Sequence, residues 1–200
     1  MSHLSYREGN LPRRFVASGP NHDNRQGTGR IMHRFEFEPE LETGNADIDL
    51  QHRTLFAMAN EVLYSVELDK NPSRFRRAVS SLVAYLEYHF ASEELAMRQR
   101  GYNSRRFHSA FHDHIRREAK EVADRANHEE NLDEIKSSIF FLLEDWVVYH
   151  VKDADRQLAN FLFEQTPKGA TPGLPDVRPF LTAGSVAMEF DSHILSSAGA

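Results

Sequence analysis

The sequence predicts an all-α protein: an up-down four-helix bundle with flexible extensions at both ends. Apolar residues recur at helical spacing in four long segments between about residues 40 and 165. Short connections separate these segments, which favours helices that pack as antiparallel neighbours. We therefore divide the chain into a flexible basic arm (1–34), a helical bundle (35–165) and a tail that contains proline and glycine (166–200).

The first two helices are delimited by clear start and stop signals. The first helix is expected over about residues 47–68. Asn71 can then cap the second helix and Pro72 can open it. This second helix is expected over about residues 72–100, because Gly101 is a natural C-terminal stop.

The last two helices are predicted from the same apolar period, over about residues 104–127 and 131–164. Beyond them, prolines between 167 and 179 close off any helix in the tail. A later apolar patch, FLTAGSVAMEF (180–190), could form a short strand or a docking segment. At the other end, residues 1–34 are rich in Gly, Asn, Ser and Arg and show no regular period, which predicts a flexible arm.

Composition excludes several functional classes. The 200 residues contain no cysteine, which rules out a disulfide scaffold, a thiol nucleophile and an iron–sulfur cluster. A formal net charge of −6 argues against a nucleic-acid partner. No apolar run is long enough to span a bilayer, and the N-terminus lacks the apolar region of a signal peptide. We therefore expect a cytoplasmic protein without membrane insertion.

Every predicted helix carries polar residues within its apolar stripe. These residues are His52, His89, Glu93, His108, His112 and His150. A lone histidine on an apolar face is more often a hydrogen-bonded core residue than a ligand. Burying one such group without a partner costs roughly 2–7 kcal/mol, however, and a domain is stable by only about 5–15 kcal/mol. Something must therefore satisfy all of them together.

A dinuclear metal site satisfies this requirement best. Five imidazoles and at least two carboxylates exceed the four ligands of tetrahedral zinc but suit two ions that share bridging carboxylates. The chain contains no Glu-x-x-His motif of the glutamate-rich di-iron proteins. A histidine-rich site favours reversible redox chemistry with dioxygen over high-valent oxidation of substrates. The second carboxylate is Asp153 or Asp155, and on a regular helix Asp153 is better placed relative to His150.

Four stretches resemble the motifs of hemerythrins, and of bacteriohemerythrins in particular. They are DIDLQHRTLF (47–56), HFASEE (89–94), GYNSRRFHSAFH (101–112) and WVVYHVKDAD (146–155). The resemblance covers about residues 40–165. It implies a protein, not an enzyme, that binds dioxygen reversibly at a non-heme di-iron centre for oxygen storage, delivery or buffering.

The resemblance also implies which residues bind the metal: His52, His89, Glu93, His108, His112, His150 and Asp155. The histidines of the third and fourth helices would hold one iron, and those of the first and second would hold the other, which keeps an open position. The two carboxylates would bridge the ions together with an oxo or hydroxo group. Asp155 follows His150 by five residues, so this choice implies a local distortion or a π-bulge in the fourth helix, or an unusual reach of the side chain.

Apolar residues one turn from these ligands are expected to line an oxygen pocket. They are Leu55, Phe56, Phe90, Trp146, Val147, Val151 and Ala154. Such a lining excludes water and anions, although an ordinary core stripe would look the same. Ala154 is smaller than the branched residue expected there, so we hypothesise that it leaves a gap that speeds autoxidation. The tryptophan often found in the family's N-terminal arm is absent, and Phe35 or Phe37 would take its packing role.

Other polar residues near these motifs are predicted to bind no metal. Glu94 is out of phase with Glu93 and is expected to be solvated. The remaining histidines lie in tails, at helix ends or out of phase, and they are His3, His22, His33, His114, His128 and His193.

Three other functions remain open at this stage. An oxygen or redox sensor could signal through the two extensions, with the tail binding a protein partner. A di-iron enzyme could act on peroxide or nitric oxide, or as a ferroxidase. Zinc could also fill a purely structural site.

Overall fold

The computed structural model describes residues 35–66, 71–128 and 132–177, and within these ranges the chain is an all-α four-helix bundle without strands. Helix α1 is Ala46–Tyr64, α2 is Pro72–Arg100 and α3 is Arg105–His128. The fourth, α4, covers 132–164. The all-α bundle predicted from the sequence is thus confirmed. None of the helices in these ranges combines the length and apolar character needed to cross a bilayer.

Capping residues set the helix starts. The Asn45 side chain accepts hydrogen bonds from the backbone N–H groups of Asp47 and Ile48, which otherwise lack partners in the first turn of α1. Asn71 caps α2 in the same way, and Pro72 follows it at the first helical position. The expected end of the first helix at residue 68 lies outside the described residues.

The end of α2 is set by Gly101, whose φ of 69° lies in the left-handed region that side chains disfavour. The predicted range of α2 is therefore confirmed at both ends. Helix α3 begins and ends one residue later than predicted, which is within the usual uncertainty of helix termini.

Helix α4 is regular only in part. It consists of Leu132–Phe141, a π-helical stretch Leu142–Val147, one turn Val148–His150, a second π-helical stretch Val151–Asp155 and a final segment Arg156–Glu164. A π-turn bonds residue i to residue i+5, so residues five apart follow one another along one face. The local distortion predicted between His150 and Asp155 is therefore confirmed.

Two apolar clusters fill the bundle, and the polar residues of interest lie between them. The larger cluster includes Leu55, Leu86, Ile115 and Val147, each three residues from a predicted ligand. The smaller cluster lies on the opposite side of the band of ligands from the larger cluster. It consists of Ile48, Ala96, Met97, Leu158, Ala159 and Leu162. A band of polar side chains is thus enclosed by apolar layers on both sides.

The start of the predicted tail packs on the bundle. Leu174 contacts the smaller cluster, and Val177 is buried. The backbone N–H of Leu174 donates to Asp47 Oδ2 at 2.8 Å, and Asn45 Nδ2 donates to the carbonyl of Pro172 at 3.0 Å. No pattern in the sequence indicates this contact. The basic arm (1–34) and the apolar patch at 180–190 lie outside the described residues.

Candidate metal centre

The structure brings all seven predicted ligands together in the middle of the bundle. None of their side chains is more than 2% exposed. The histidines of α1 and α3 lie in the first halves of those helices, and the ligands of α2 and α4 lie in the second halves. Residues at opposite ends of successive helices meet because the chain direction alternates, as in an up-down bundle.

The ligands form two groups that share both carboxylates. One group joins Glu93 and Asp155 to the histidines of α3 and α4, and the other joins the same carboxylates to His52 and His89. Within each group the candidate donor atoms lie within 4.8 Å of one another. This is the arrangement that two metal ions with bridging carboxylates require.

Asp155 lies between the two groups of histidines. Its Oδ1 lies 2.9 Å from Nε2 of His150 and 3.1 Å from Nε2 of His108. Its Oδ2 lies 3.0 Å from Nε2 of His52 and 4.0 Å from Nε2 of His89. Each oxygen of this one carboxylate therefore faces a different group of histidines.

Asp153 occupies a different environment from Asp155. It is exposed and accepts a hydrogen bond from Gln157 at 2.9 Å. The π-helical turn is the reason, because it places the residue five after His150, and not the residue three after it, against the centre.

Glu93 lies on the other side of the same space. Its Oε2 is 3.2 Å from Nε2 of His108 and 3.3 Å from Nε2 of His112. Nε2 of His112 is also 3.0 Å from Nε2 of His150. Every imidazole of the site thus directs Nε2 towards the centre.

Several of these buried atoms have no hydrogen-bond partner among the described residues, although they approach other polar atoms closely. They include both ring nitrogens of His52 and His108 and both oxygens of Glu93 and Asp155. A buried polar atom left unsatisfied costs about 1–3 kcal/mol. Their lone pairs converge on common points, and nitrogen and carboxylate donors in these proportions suit iron. The residues therefore fit a pair of metal ions.

Burial and the two carboxylates act on the histidines in opposite directions. Burial lowers the pKa of His89 to about 3 and also lowers the pKa of His150, so these rings are neutral and can offer a lone pair. Burial also disfavours the charged form of His108, but the close negative carboxylates of Asp155 and Glu93 raise its pKa to about 10. A metal ion would have to displace the proton that His108 then carries.

The carboxylates are held in the ionised form. Burial works to raise the pKa of Asp155, yet His150, His108 and His52 lower it well below its usual range. The pKa of Glu93 is also lowered, by His89, His108 and His112, against burial and the charge of Asp155. Both groups are therefore acceptors for positive charge, which a protonated histidine or a metal ion can supply.

Glu94 corrects the sequence interpretation. We expected it to be solvated, but only 19% of its side chain is exposed. Its Oε1 lies 2.9 Å from Nδ1 of His112 and accepts a hydrogen bond from Arg116 at 2.9 Å. The side chain is out of phase with Glu93 on α2, yet it reaches a histidine on α3.

The sequence interpretation also missed Gln51 and Ser92. Gln51 Oε1 lies 2.9 Å from Nδ1 of His89 and accepts a hydrogen bond from Ser92 at 3.1 Å. Metal-binding histidines usually donate their second ring N–H to an oxygen. That rule, applied to the polar neighbours of the ligands, could have pointed to these residues and to Glu94.

The predicted pocket residues Leu55, Phe56, Phe90, Val147, Val151 and Ala154 are all buried. The side chain of Trp146 lies outside the described part of the chain. Phe90 stacks on His112 with ring centroids 4.1 Å apart. Phe37 lies 6.2 Å from the ring of His52 and 5.6 Å from that of Phe56, and Phe35 packs on Phe56 at 6.3 Å. Both residues therefore cover this side of the centre.

Two of the histidines predicted not to bind metal are described. His114 is half-buried beside Arg117, whose Nη2 lies 3.3 Å from its Nδ1, and His128 is exposed. His3, His22, His33 and His193 lie outside the described residues.

Comparisons with known proteins point to one family. The profile of the hemerythrin HHE cation binding domain matches residues 43–162, which include all seven candidate ligands. The chain is 30% identical over 125 residues to a bacteriohemerythrin of Pseudomonas paraeruginosa, covering 62% of this chain and 78% of that protein.

Two further relatives come from other organisms. The chain is 28% identical over 117 residues to a bacteriohemerythrin of Methylococcus capsulatus, covering 58% of this chain and 87% of that protein. It is 31% identical over 122 residues to a bacteriohemerythrin of Aquifex aeolicus, covering 60% of this chain and 90% of that protein. No solved structure matches the chain.

Proposed function

Because the chain belongs to the hemerythrin family, we propose that it binds dioxygen reversibly at a non-heme di-iron centre and stores, delivers or buffers oxygen. Family membership already supports an iron-binding, oxygen-related protein. The observation that carries the finer proposal is the pair of buried ligand groups that share Glu93 and Asp155.

The two groups suggest different roles for the two iron positions. Five residues surround the position at the histidines of α3 and α4, and four surround the position at His52 and His89. The second position therefore has the smaller donor set and is the one expected to keep a place for dioxygen. Two iron ions bound here would supply one electron each for reversible reduction of dioxygen.

The protein's own contribution is to hold the ligands and to exclude water. Apolar residues from α1 and α4, among them Leu55, Phe56 and Val151, are buried around the centre. Such a lining keeps water and anions from the iron, which favours release of oxygen over irreversible oxidation. The described lining residues are apolar and carry no acid or base for substrate chemistry, which supports a carrier over an enzyme.

The test is an oxygen titration of the iron-loaded, anaerobically reduced protein, followed by its visible spectrum and by metal analysis. We expect two irons per chain and an absorption band that forms with oxygen and is lost when oxygen is removed. Direct conversion to a stable oxidised spectrum would contradict the carrier function. Sustained consumption of oxygen with an added reductant would instead indicate an enzyme.

A sensor is the second candidate, and one observation favours it. Leu174 of the tail packs on the smaller cluster, whose members Met97 and Leu158 lie within one turn of Glu93 and Asp155. A shift of either carboxylate could therefore change how the tail is held. If the sensor function is correct, limited proteolysis should cut the tail at different rates in the reduced and oxidised proteins. Equal rates would leave the carrier as the better account.

A further inference from the structure

The five histidines of the centre differ in whether the second ring nitrogen, Nδ1, has a hydrogen-bond partner outside the ligand set. Nδ1 of His52, His108 and His150 has no hydrogen-bond partner among the described residues. Nδ1 of His89 and of His112, in contrast, lies 2.9 Å from a side-chain oxygen. An oxygen that can only accept fixes the proton on Nδ1 and leaves the lone pair on Nε2 for a metal.

The two outside partners differ in charge. His89 donates to the neutral amide oxygen of Gln51, which Ser92 holds at 3.1 Å. His112 donates to the carboxylate of Glu94. Each of the two metal positions therefore has one histidine whose Nδ1 is hydrogen-bonded. At the position of His89 the acceptor is neutral, and at the position of His112 it is an anion.

Arg116 holds the charged partner in place. Its Nη1 donates to the same Glu94 oxygen at 2.9 Å, and its Nε donates to Glu87 at 2.9 Å. Its guanidinium also lies 5.2 Å from the centre of the Phe90 ring, which stacks on His112. Arg116 thus contacts both Glu94, which binds the edge of the His112 ring, and Phe90, which stacks on the face of that ring.

We propose that Glu94 and Arg116 are positioning residues that make the two iron positions electronically unequal. The proposal rests on the proposed function, because it concerns iron bound at these two positions. A carboxylate that accepts the Nδ1 proton makes Nε2 a stronger donor than an amide does. Oxidised iron is therefore stabilised more at the position of His112 than at the position of His89, where dioxygen is expected to bind.

The test compares Glu94→Gln with a matched control, Asp113→Asn. The first variant keeps an acceptor oxygen for His112 but removes its charge. The control removes a charge from the same cluster, since Asp113 Oδ1 accepts from Arg116 at 3.2 Å, but it acts on Arg116 and not on His112. Redox titration should show a higher midpoint potential for one iron in Glu94→Gln. A tenfold change in the ferric-to-ferrous affinity ratio corresponds to about 59 mV for one electron.

The potential of the Asp113→Asn control should stay at the wild-type value. The proposal is overturned if both variants load two irons and Glu94→Gln shifts the potential no more than the control does. Wild-type protein that loads two irons but does not release oxygen would refute the proposed function instead. In that case the comparison of potentials would still decide whether Glu94 has this role.

A second readout needs neither iron nor oxygen. In zinc-loaded protein, ¹⁵N NMR of the histidine rings should show His112 protonated on Nδ1, with a resonance that moves in Glu94→Gln and stays in Asp113→Asn. This measurement decides the case if iron loading of the variant is poor. An Nδ1 resonance of His112 that is the same in all three proteins would overturn the proposal.

Discussion

At the scale of single residues, Asp155 links the two halves of the centre. Its two oxygens face different histidine groups, at 2.9 to 3.1 Å on one side and 3.0 to 4.0 Å on the other. Its neighbour Asp153 is exposed. Two aspartates of one helical turn therefore have different chemical surroundings, and this difference can be tested directly.

We expect Asp155→Asn to lose most of the bound metal, because an amide is a much weaker bridging donor than a carboxylate. Asp153→Asn is the matched control and should keep two irons per chain. Metal analysis after iron loading and gel filtration measures both variants. Equal metal contents in the two variants would contradict the assignment of Asp155 as a ligand.

Ala154 leads to a second prediction at this scale. It is buried directly before Asp155, and a larger apolar side chain there would close the gap that we hypothesise. Ala154→Leu or Ala154→Ile should therefore slow autoxidation several-fold. The added volume could also cost about 1–3 kcal/mol of stability through overpacking. The decay rate of the oxygenated spectrum checks this, and a rate equal to that of the wild type would refute the hypothesis.

At the scale of elements, the capping residues of α1 and α2 differ in the number of contacts that they make. Asn45 caps α1 and also donates to the carbonyl of Pro172, which ties the tail to the start of the helix. Asn71 caps α2 and is exposed. The same residue type in the same role thus provides a natural comparison.

Asn45→Ala should lower the free energy of unfolding more than Asn71→Ala does. Loss of a cap alone costs about 0.5–2 kcal/mol, and Asn45→Ala additionally leaves the Pro172 contact unmade. Urea unfolding of both variants measures the difference. If the two losses are the same, the docked tail contributes nothing to the stability of α1.

Helix elements were also the part of the fold most open to prediction. Asn71, Pro72 and Gly101 mark the boundaries of α2 by local chemistry alone, so its range could be predicted to the residue. The π-helical turn could be predicted only because two expectations disagree. The family resemblance implies that His150 and Asp155 are both ligands, but residues five apart do not share a face of a regular helix.

Contacts between elements were harder to predict. The phase of Glu94 on α2 alone predicts a solvated side chain, whereas its partners His112 and Arg116 belong to α3. Docking of Leu174 on Asp47 depends on a hydrogen bond from a backbone N–H to a side chain 127 residues away in sequence, and no local pattern encodes such a bond.

At the scale of the whole molecule, the centre couples metal binding to stability. The bundle encloses, between two apolar clusters, polar atoms that have no hydrogen-bond partner in the described part of the chain. Ligand side chains come from every helix, so two bound metal ions would join all four helices. Folding without metal leaves these groups unsatisfied, and metal binding therefore stabilises the folded state.

Removal of the metal should lower the melting temperature. A ligand present at 100 times its dissociation constant stabilises the folded state by about 2.7 kcal/mol. Calorimetry of the iron-loaded and the chelator-treated protein measures the change, and reloading with iron should restore it. A melting temperature that does not respond to chelation would mean that the four helices are not joined through the metal.

Reversible dioxygen binding at a di-iron centre is the function that we propose for this chain. The stoichiometry of oxygen uptake and release by the reduced protein, measured with an oxygen electrode over repeated cycles, tests it. We expect one dioxygen to be taken up per pair of irons and to be returned when the oxygen pressure falls. Uptake that is not returned, with the iron left oxidised, would contradict it.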